Sequence, residues 1–251
     1  FEFRMVGSRD SVASPNVILN TIVAESFADT CDYLEQAEDF EMAVHDLIKK
    51  YATEHQRIVF SGNGYSEEWV EEAKRRGLPN IRTMVESIQY LCDEKSVQMF
   101  ERFHVFSRAE LESRAEIKYE AYAKAVNIEA RSMIDIASKH IIPAVIRYVT
   151  ALATSVNQVH QASSLADTSV QDNLLVEASR LLTETKTALQ KLVDVMNGVG
   201  ARAEGKEQAY YFMEQVVPAM ANLRKPVDEL EMIVDKNMWP MPSYGDLLFE
   251  V

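Results

Sequence analysis

Glu2 and Arg4 stand two residues apart in the opening segment Phe1–Met5, which alternates apolar, acidic, apolar, basic, apolar. A period of two places Phe1, Phe3 and Met5 on one face of a strand and aims Glu2 and Arg4 together from the other. A carboxylate so placed can ligate a hard divalent cation through oxygen, and a guanidinium beside it can grip a substrate carboxylate with two parallel hydrogen bonds. On the pattern alone, a solvated ion pair fits the same two residues.

Other constellations carry weaker chemistry. Glu101-x-x-His104 has the spacing of one arm of a di-iron carboxylate bundle, but that site needs a second such pair, and the sequence has none. His104 is therefore expected to be an ordinary helix-end histidine. Gly62-Asn63-Gly64 precedes a helical pattern and could cradle phosphate, yet it lacks the Lys-Ser/Thr ending of a P-loop and the third glycine of a dinucleotide fingerprint. A tight turn is the expectation. His45, His55, His140 and His160 are scattered, and the run Tyr210 to Met213 lies on a helix whose seam already needs Phe212 for packing.

The elements that must position these residues are nearly all helical. After the strand, Gly7, Ser8 and Asp10 supply turn chemistry, and Ser14-Pro15 offers an N-cap followed by proline at the first helical position. Apolar positions at spacings of three and four predict helices over 16–33 and 40–55. Arg57–Phe60 is short and apolar enough for one turn of strand. Shorter helices follow from Ser66, around 85–91 and around 93–103. Three long helices are expected at about 107–159, 169–199 and 203–236, the first opened by a capping box of Ser107 and Glu110. Unbroken, the first would extend roughly 75 Å, with a kink near 139–142 forced by Pro143. Pro218 and Pro226 are expected to bend or break the third. Narrow seams joined by short polar turns predict antiparallel packing. The fold class expected is therefore mainly α, a long antiparallel helical bundle with a residual N-terminal β-strand. The proline- and aromatic-rich end, Met238 to Phe249, is too apolar for a solvated tail and is expected to dock on this subunit or another.

Composition narrows the partners. The chain has 251 residues, 39 acidic against 26 basic, and a formal charge of −13 that repels a phosphate backbone. Nucleic acid is not an expected partner. No run of about 18 apolar residues exists to span a membrane. The cysteines Cys31 and Cys92 form no C-x-x-C framework, which suits reduced thiols in the cytoplasm. Phe1 opens in mid-pattern without an initiator methionine, so the sequence is expected to be cut from something longer.

The opening F-E-F-R-M-V-G-S, followed by S-V-A-S-P-N-V-I-L-N-T-I-V-A-E, resembles the last strand and following helix of type III glutamine synthetases. The segments from Arg57 to Trp69, from Arg76 to Asn80, and from Trp239 to Phe249 are similar to segments particular to that group. The resemblance covers nearly the whole chain. It implies that residues 1–56 end a truncated α+β catalytic domain and that 57–251 form a type III C-terminal helical domain. It implies that Glu2 is a divalent-metal ligand and that Arg4 contacts glutamate. The implied reaction joins ammonia to L-glutamate with ATP and Mg2+ or Mn2+, through a γ-glutamyl phosphate, in a homo-oligomer of stacked rings. The remaining ligands would lie upstream, so this stretch alone is expected to be inactive. A non-catalytic helical scaffold or oligomerisation module is the alternative.

Overall fold

The computed structural model describes residues 11–249, and among these every regular element is helical. Phe1–Met5, and with it the expected strand, lies outside the described residues. The chain divides into two compact units, one ending at Ala115 and the other starting at Glu116.

The first unit contains α1 (Ala13–Glu35), α2 (Phe40–Glu54), α3 (Glu67–Arg75), α4 (Met84–Ile88), α5 (Glu94–Arg102) and the first turns of α6 (Arg108–Ile136). Asp39, Ser66 and Thr83 each accept a backbone N–H from the first turn of α2, α3 and α4. Those donors would otherwise be orphaned. The expected cap at Ser14 is not used. Val12 is the N-cap of α1, and the Ser11 hydroxyl accepts from Ala13 N–H. Pro15 then falls in the first turn, where its missing N–H still costs nothing. Arg57–Phe60 is not a strand: Gln56–Ile58 form a 3₁₀ turn and Val59 is extended. The core of this unit gathers Val97, Met99, Phe100 and Leu111, with Val17 and Ile18 of α1 against it.

The far side of α1 is also apolar. Val23 and Phe27, on the side away from Val17, Ile18 and the buried Thr21, are 48% and 66% exposed, and Ile22 at the flank is 47% exposed. A helix apolar on all sides is one that burial normally surrounds.

The second unit is a bundle of antiparallel helices. Its first member runs from α6 through a π-helical turn, Ala137–Ile141, into α7 (Ile142–Ala162). The second is α8 (Ser169–Asn197). The third runs from α9 (Lys206–Tyr211) through another π-helical turn, Phe212–Val216, into α10 (Val217–Ile233). One cluster joins Ala130 and Ala137 to Leu189, Leu192, Phe212 and Leu223. The next joins Ile141, Val145 and Tyr148 to Ala178, Leu181 and Leu230. The expected seam residues Ala137, Ile141, Val145, Tyr148, Ala178, Leu181 and Leu192 lie in these clusters, whereas Val170, also expected in a seam, is 67% exposed. Thr185 lies fully buried in the α8 seam with its hydroxyl unpartnered, a local cost on the order of 1–3 kcal/mol.

Both π turns precede a proline. Ile142 N–H reaches back five residues to Ala137 and Val217 N–H to Phe212, immediately before Pro143 and Pro218. Proline in an α-helix loses a hydrogen bond and collides with the carbonyl four residues back. The wider turn relieves both problems without ending the helix. Pro226 neither ends nor interrupts α10, and it lies buried there.

Candidate functional site

Glu2 and Arg4, the residues with the strongest chemical reading, lie outside the described residues. Within the first unit, the motif from Arg57 to Arg76 closes on itself. The Glu72 carboxylate accepts from Arg75 Nε and Nη2, each at 2.7 Å, and from Arg76 Nε. Arg76 Nη1 donates to the carbonyl oxygens of Val59 and Arg57 at 2.8 and 3.2 Å. Its guanidinium also lies 5.6 Å from the Trp69 ring centre and 6.0 Å from that of Phe60, and the two rings stack at 4.2 Å. A Cβ at Gly62 would sit 2.4 Å from the tip of the Phe60 ring, so a side chain there would push that ring from its place. Gly77, in the left-handed region at φ +69°, closes α3 with Leu78 N–H bonded to Ala73 O and Gly77 N–H to Lys74 O.

This clamp is structural. Its arginine donors point to carbonyls and to one carboxylate, and no nucleophile or open cation site sits among them. The sequence contained its parts, read only as a helix end and a turn. The signal that could have joined them is the pair of arginines three and four residues after Glu72.

The clamp has a pH signature. Hydrogen bonds from Arg75 and then Arg76 hold the Glu72 carboxyl down from the usual 4.5 to about 2. A depressed carboxylate favours the folded state above its unfolded pKa, and that contribution is lost as pH falls from about 4.5 through about 2. Acid titration of Trp69 fluorescence is expected to show a transition in that window. Glu72→Gln is expected to abolish it, and an unchanged titration in that variant would separate the Trp69 signal from the ion pair.

Glu101 and His104 do not share a helical face. His104 follows the end of α5 with φ 52°, and Val105 N–H closes the turn onto Phe100 O. Glu101 Oε1 accepts Arg108 N–H at 3.0 Å. This is a helix terminus, as expected. The Ser107–Glu110 capping box forms, with Ser107 N–H on Glu110 Oε2 at 2.8 Å and Glu110 N–H on Ser107 Oγ at 3.4 Å.

In the second unit, His160 bonds through Nε2 to the buried Thr168 hydroxyl at 2.9 Å, and Thr168 donates to Asp172 at 2.8 Å. This clasp ties the end of α7 to the start of α8, a pairing the sequence did not signal. Tyr211 donates to Val195 O at 2.9 Å, and Phe212 is core. Of the segment expected to dock, Met238 and Trp239 pack against the cluster of Leu230 and Val234, whereas Tyr244, Leu247, Leu248 and Phe249 stay largely exposed. Trp239 Nε1–H donates to Glu231 at 3.2 Å. Asp246 accepts from Ser243 N–H and Oγ, each at 2.7 Å, and from Lys236 at 3.0 Å, at the start of α11 (Tyr244–Phe249). Beneath lies an apolar groove of about 730 Å³ floored by Ile136, Ile141 and Val227. Among the described residues no three His, Cys, Asp or Glu side chains gather to hold a metal ion, and no helix is long and apolar enough to cross a membrane.

Residues 43–160, which carry the clamp, the α5 terminus and the first π turn, match the glutamine synthetase C-terminal domain family. The Type-3 glutamine synthetase of Dictyostelium discoideum is 35% identical over 266 aligned positions, covering 99% of this chain. The chain belongs to the glutamine synthetase family, through its C-terminal domain. A glutamine synthetase of Bacteroides fragilis (strain YCH46) is 30% identical over 99% of the chain, and one of Butyrivibrio fibrisolvens is 30% identical over 85%. The chain spans only about a third of these synthetases, 35%, 35% and 31% of their lengths. The clamp and the tail, whose motifs carried the type III resemblance, are thus structural parts of a glutamine synthetase C-terminal region.

Proposed function

We propose that this chain is the C-terminal part of a type III glutamate–ammonia ligase, in which Glu2 binds a divalent cation and Arg4 binds L-glutamate. The observation that carries the reading is the match of 99% of the chain to about a third of a Type-3 glutamine synthetase. The complete enzyme would supply the chemistry in which ATP phosphorylates the γ-carboxylate and ammonia displaces the phosphate. Mg2+ or Mn2+ would neutralise charge between the two substrates. In this reading Glu2 is the chain's contribution to the cation site. Arg4 would hold a glutamate carboxylate through two charge-assisted hydrogen bonds.

In this proposal residues 1–56 complete the catalytic domain, and 57–251 buttress it within a cytoplasmic homo-oligomer of stacked rings. The exposed apolar residues Val23 and Phe27 of α1 support a contact beyond the core of the first unit, because they gain nothing from water. The competing reading is a non-catalytic helical scaffold, favoured by a second unit that builds its own core. One experiment separates them. The full-length polypeptide is expected to form glutamine from glutamate, ammonia and ATP with Mg2+ or Mn2+, and residues 1–251 alone are expected to form none. A full-length protein without that activity would leave the scaffold.

A further inference from the structure

We propose that Asn63 is a site of spontaneous covalent modification, converting through a cyclic imide to aspartate and isoaspartate, and that the fold confines this chemistry to one of its two Asn-Gly pairs. The pairs are Asn63-Gly64 and Asn197-Gly198, and their environments are opposite.

Cyclisation requires the Gly64 backbone nitrogen to lose its proton and attack Asn63 Cγ. Among the described residues Gly64 N–H makes no hydrogen bond. Asn63 and Gly64 are both exposed, and nothing lies within 4 Å of the Cβ position on Gly64, so the ring has room to form. Tyr65 N–H already donates to Asn63 Oδ1 at 3.0 Å. In this Asx turn the side-chain amide lies folded back over the following peptide. The same donor faces the oxygen on which negative charge develops in the tetrahedral intermediate, the arrangement that lowers the barrier to acyl transfer.

The balance closes without redox chemistry. A bond forms between Gly64 N and Asn63 Cγ, the bond from Cγ to the side-chain nitrogen breaks, and ammonia leaves with a proton taken from solvent. Water then adds to either imide carbonyl. One opening gives aspartate, and the other routes the main chain through the β-carbon as isoaspartate.

At the second pair Asn197 is exposed as well, but the conditions on the glycine fail. Asn197 is the last residue of α8, and Gly198 N–H is engaged with Val195 O at 3.0 Å. A Cβ on Gly198 would sit 2.5 Å from the Tyr211 hydroxyl, so the space above it is filled.

Modification would act on the α3 cap. Asn63 O accepts both Ser66 N–H at 3.2 Å and Ser66 Oγ at 3.0 Å, and Ser66 in turn caps Trp69 N–H. An isoaspartate would displace that carbonyl. Either product adds a negative charge ahead of Glu67 and Glu68.

The test is to age the full-length protein at neutral pH and 37 °C and follow two tryptic peptides, residues 58–74 and 192–202, by mass and by isoaspartyl methyltransferase labelling. The first is expected to gain about 1 Da as a mixture of aspartate and isoaspartate. It is expected to do so on the order of tenfold or more faster than the second, a barrier difference of about 1.4 kcal/mol. The rate is expected to rise with pH and to vanish in Asn63→Gln. Ageing in urea is expected to bring the two peptides together. Equal rates in the folded protein, conversion to aspartate without isoaspartate, or a difference that persists in urea would each overturn the proposal.

Discussion

On the proposed function, Arg4→Ala in the full-length protein is expected to raise the glutamate concentration needed for half-maximal rate by between about 30- and 1,000-fold. That range follows from about 2–4 kcal/mol lost when one partner of a bidentate, charge-assisted pair is removed. The ATP dependence is expected to move far less, because Arg4 is assigned to glutamate. Arg4→Lys is expected to recover only part of the loss, since an ammonium keeps the charge but not the paired geometry. Steady-state glutamine formation across glutamate concentration checks this. Unaltered kinetics in the alanine variant would remove Arg4 from the substrate site and leave the family assignment untouched.

Truncating Phe212 to alanine is expected to destabilise the bundle by about 3–5 kcal/mol, the range for a large buried aromatic. Phe212 is 1% exposed within the cluster that joins Leu192, Val216 and Leu223. It also begins the second π turn, so repacking is constrained by backbone that is already fixed. For a unit of this size the loss corresponds to a fall in Tm of about 10 °C or more. Met232→Ala is the matched control: Met232 is 84% exposed, and its truncation is expected to cost less than about 0.5 kcal/mol. Urea unfolding followed by circular dichroism would read both. A Phe212→Ala midpoint close to that of Met232→Ala would show that the cluster does not carry the bundle.

The bundle was legible because its signals are periodic and local. The third seam placed Ala209, Phe212, Val216, Met220, Leu223, Val227, Leu230 and Val234 inward; Met220 and Val227 are half-buried and the other six are buried. The Ser107–Glu110 box was legible for the same reason, since four consecutive residues contain both partners. The first seam was read less completely. Tyr119, Ala123 and Ala130 are also buried there; the two alanines are small residues of the kind that tight helix crossings use and a search for large apolar ones overlooks. The Arg76 clamp was not legible, because its carbonyl partners lie 17 and 19 residues away and carry no side-chain signal. The His160–Thr168–Asp172 clasp spans a turn, where periodicity gives no guidance. Glu2 and Arg4 were readable as types but not as a site, since a solvated ion pair fits the same alternating segment.

The π turn before Pro143 sets a rotational phase for everything after it. Each residue advances the helix by about 100°, so one residue added within a turn redirects every later side chain to a different neighbour. Ala137, at the start of that turn, serves the cluster of Leu192 and Phe212, while Ile141, at its end, serves the cluster of Leu181 and Leu230. An in-frame loss of a single codon between 137 and 141 would close the wide turn to an α turn and set Pro143 against the carbonyl four residues before it. This stretch is therefore one where length is under tighter constraint than spelling.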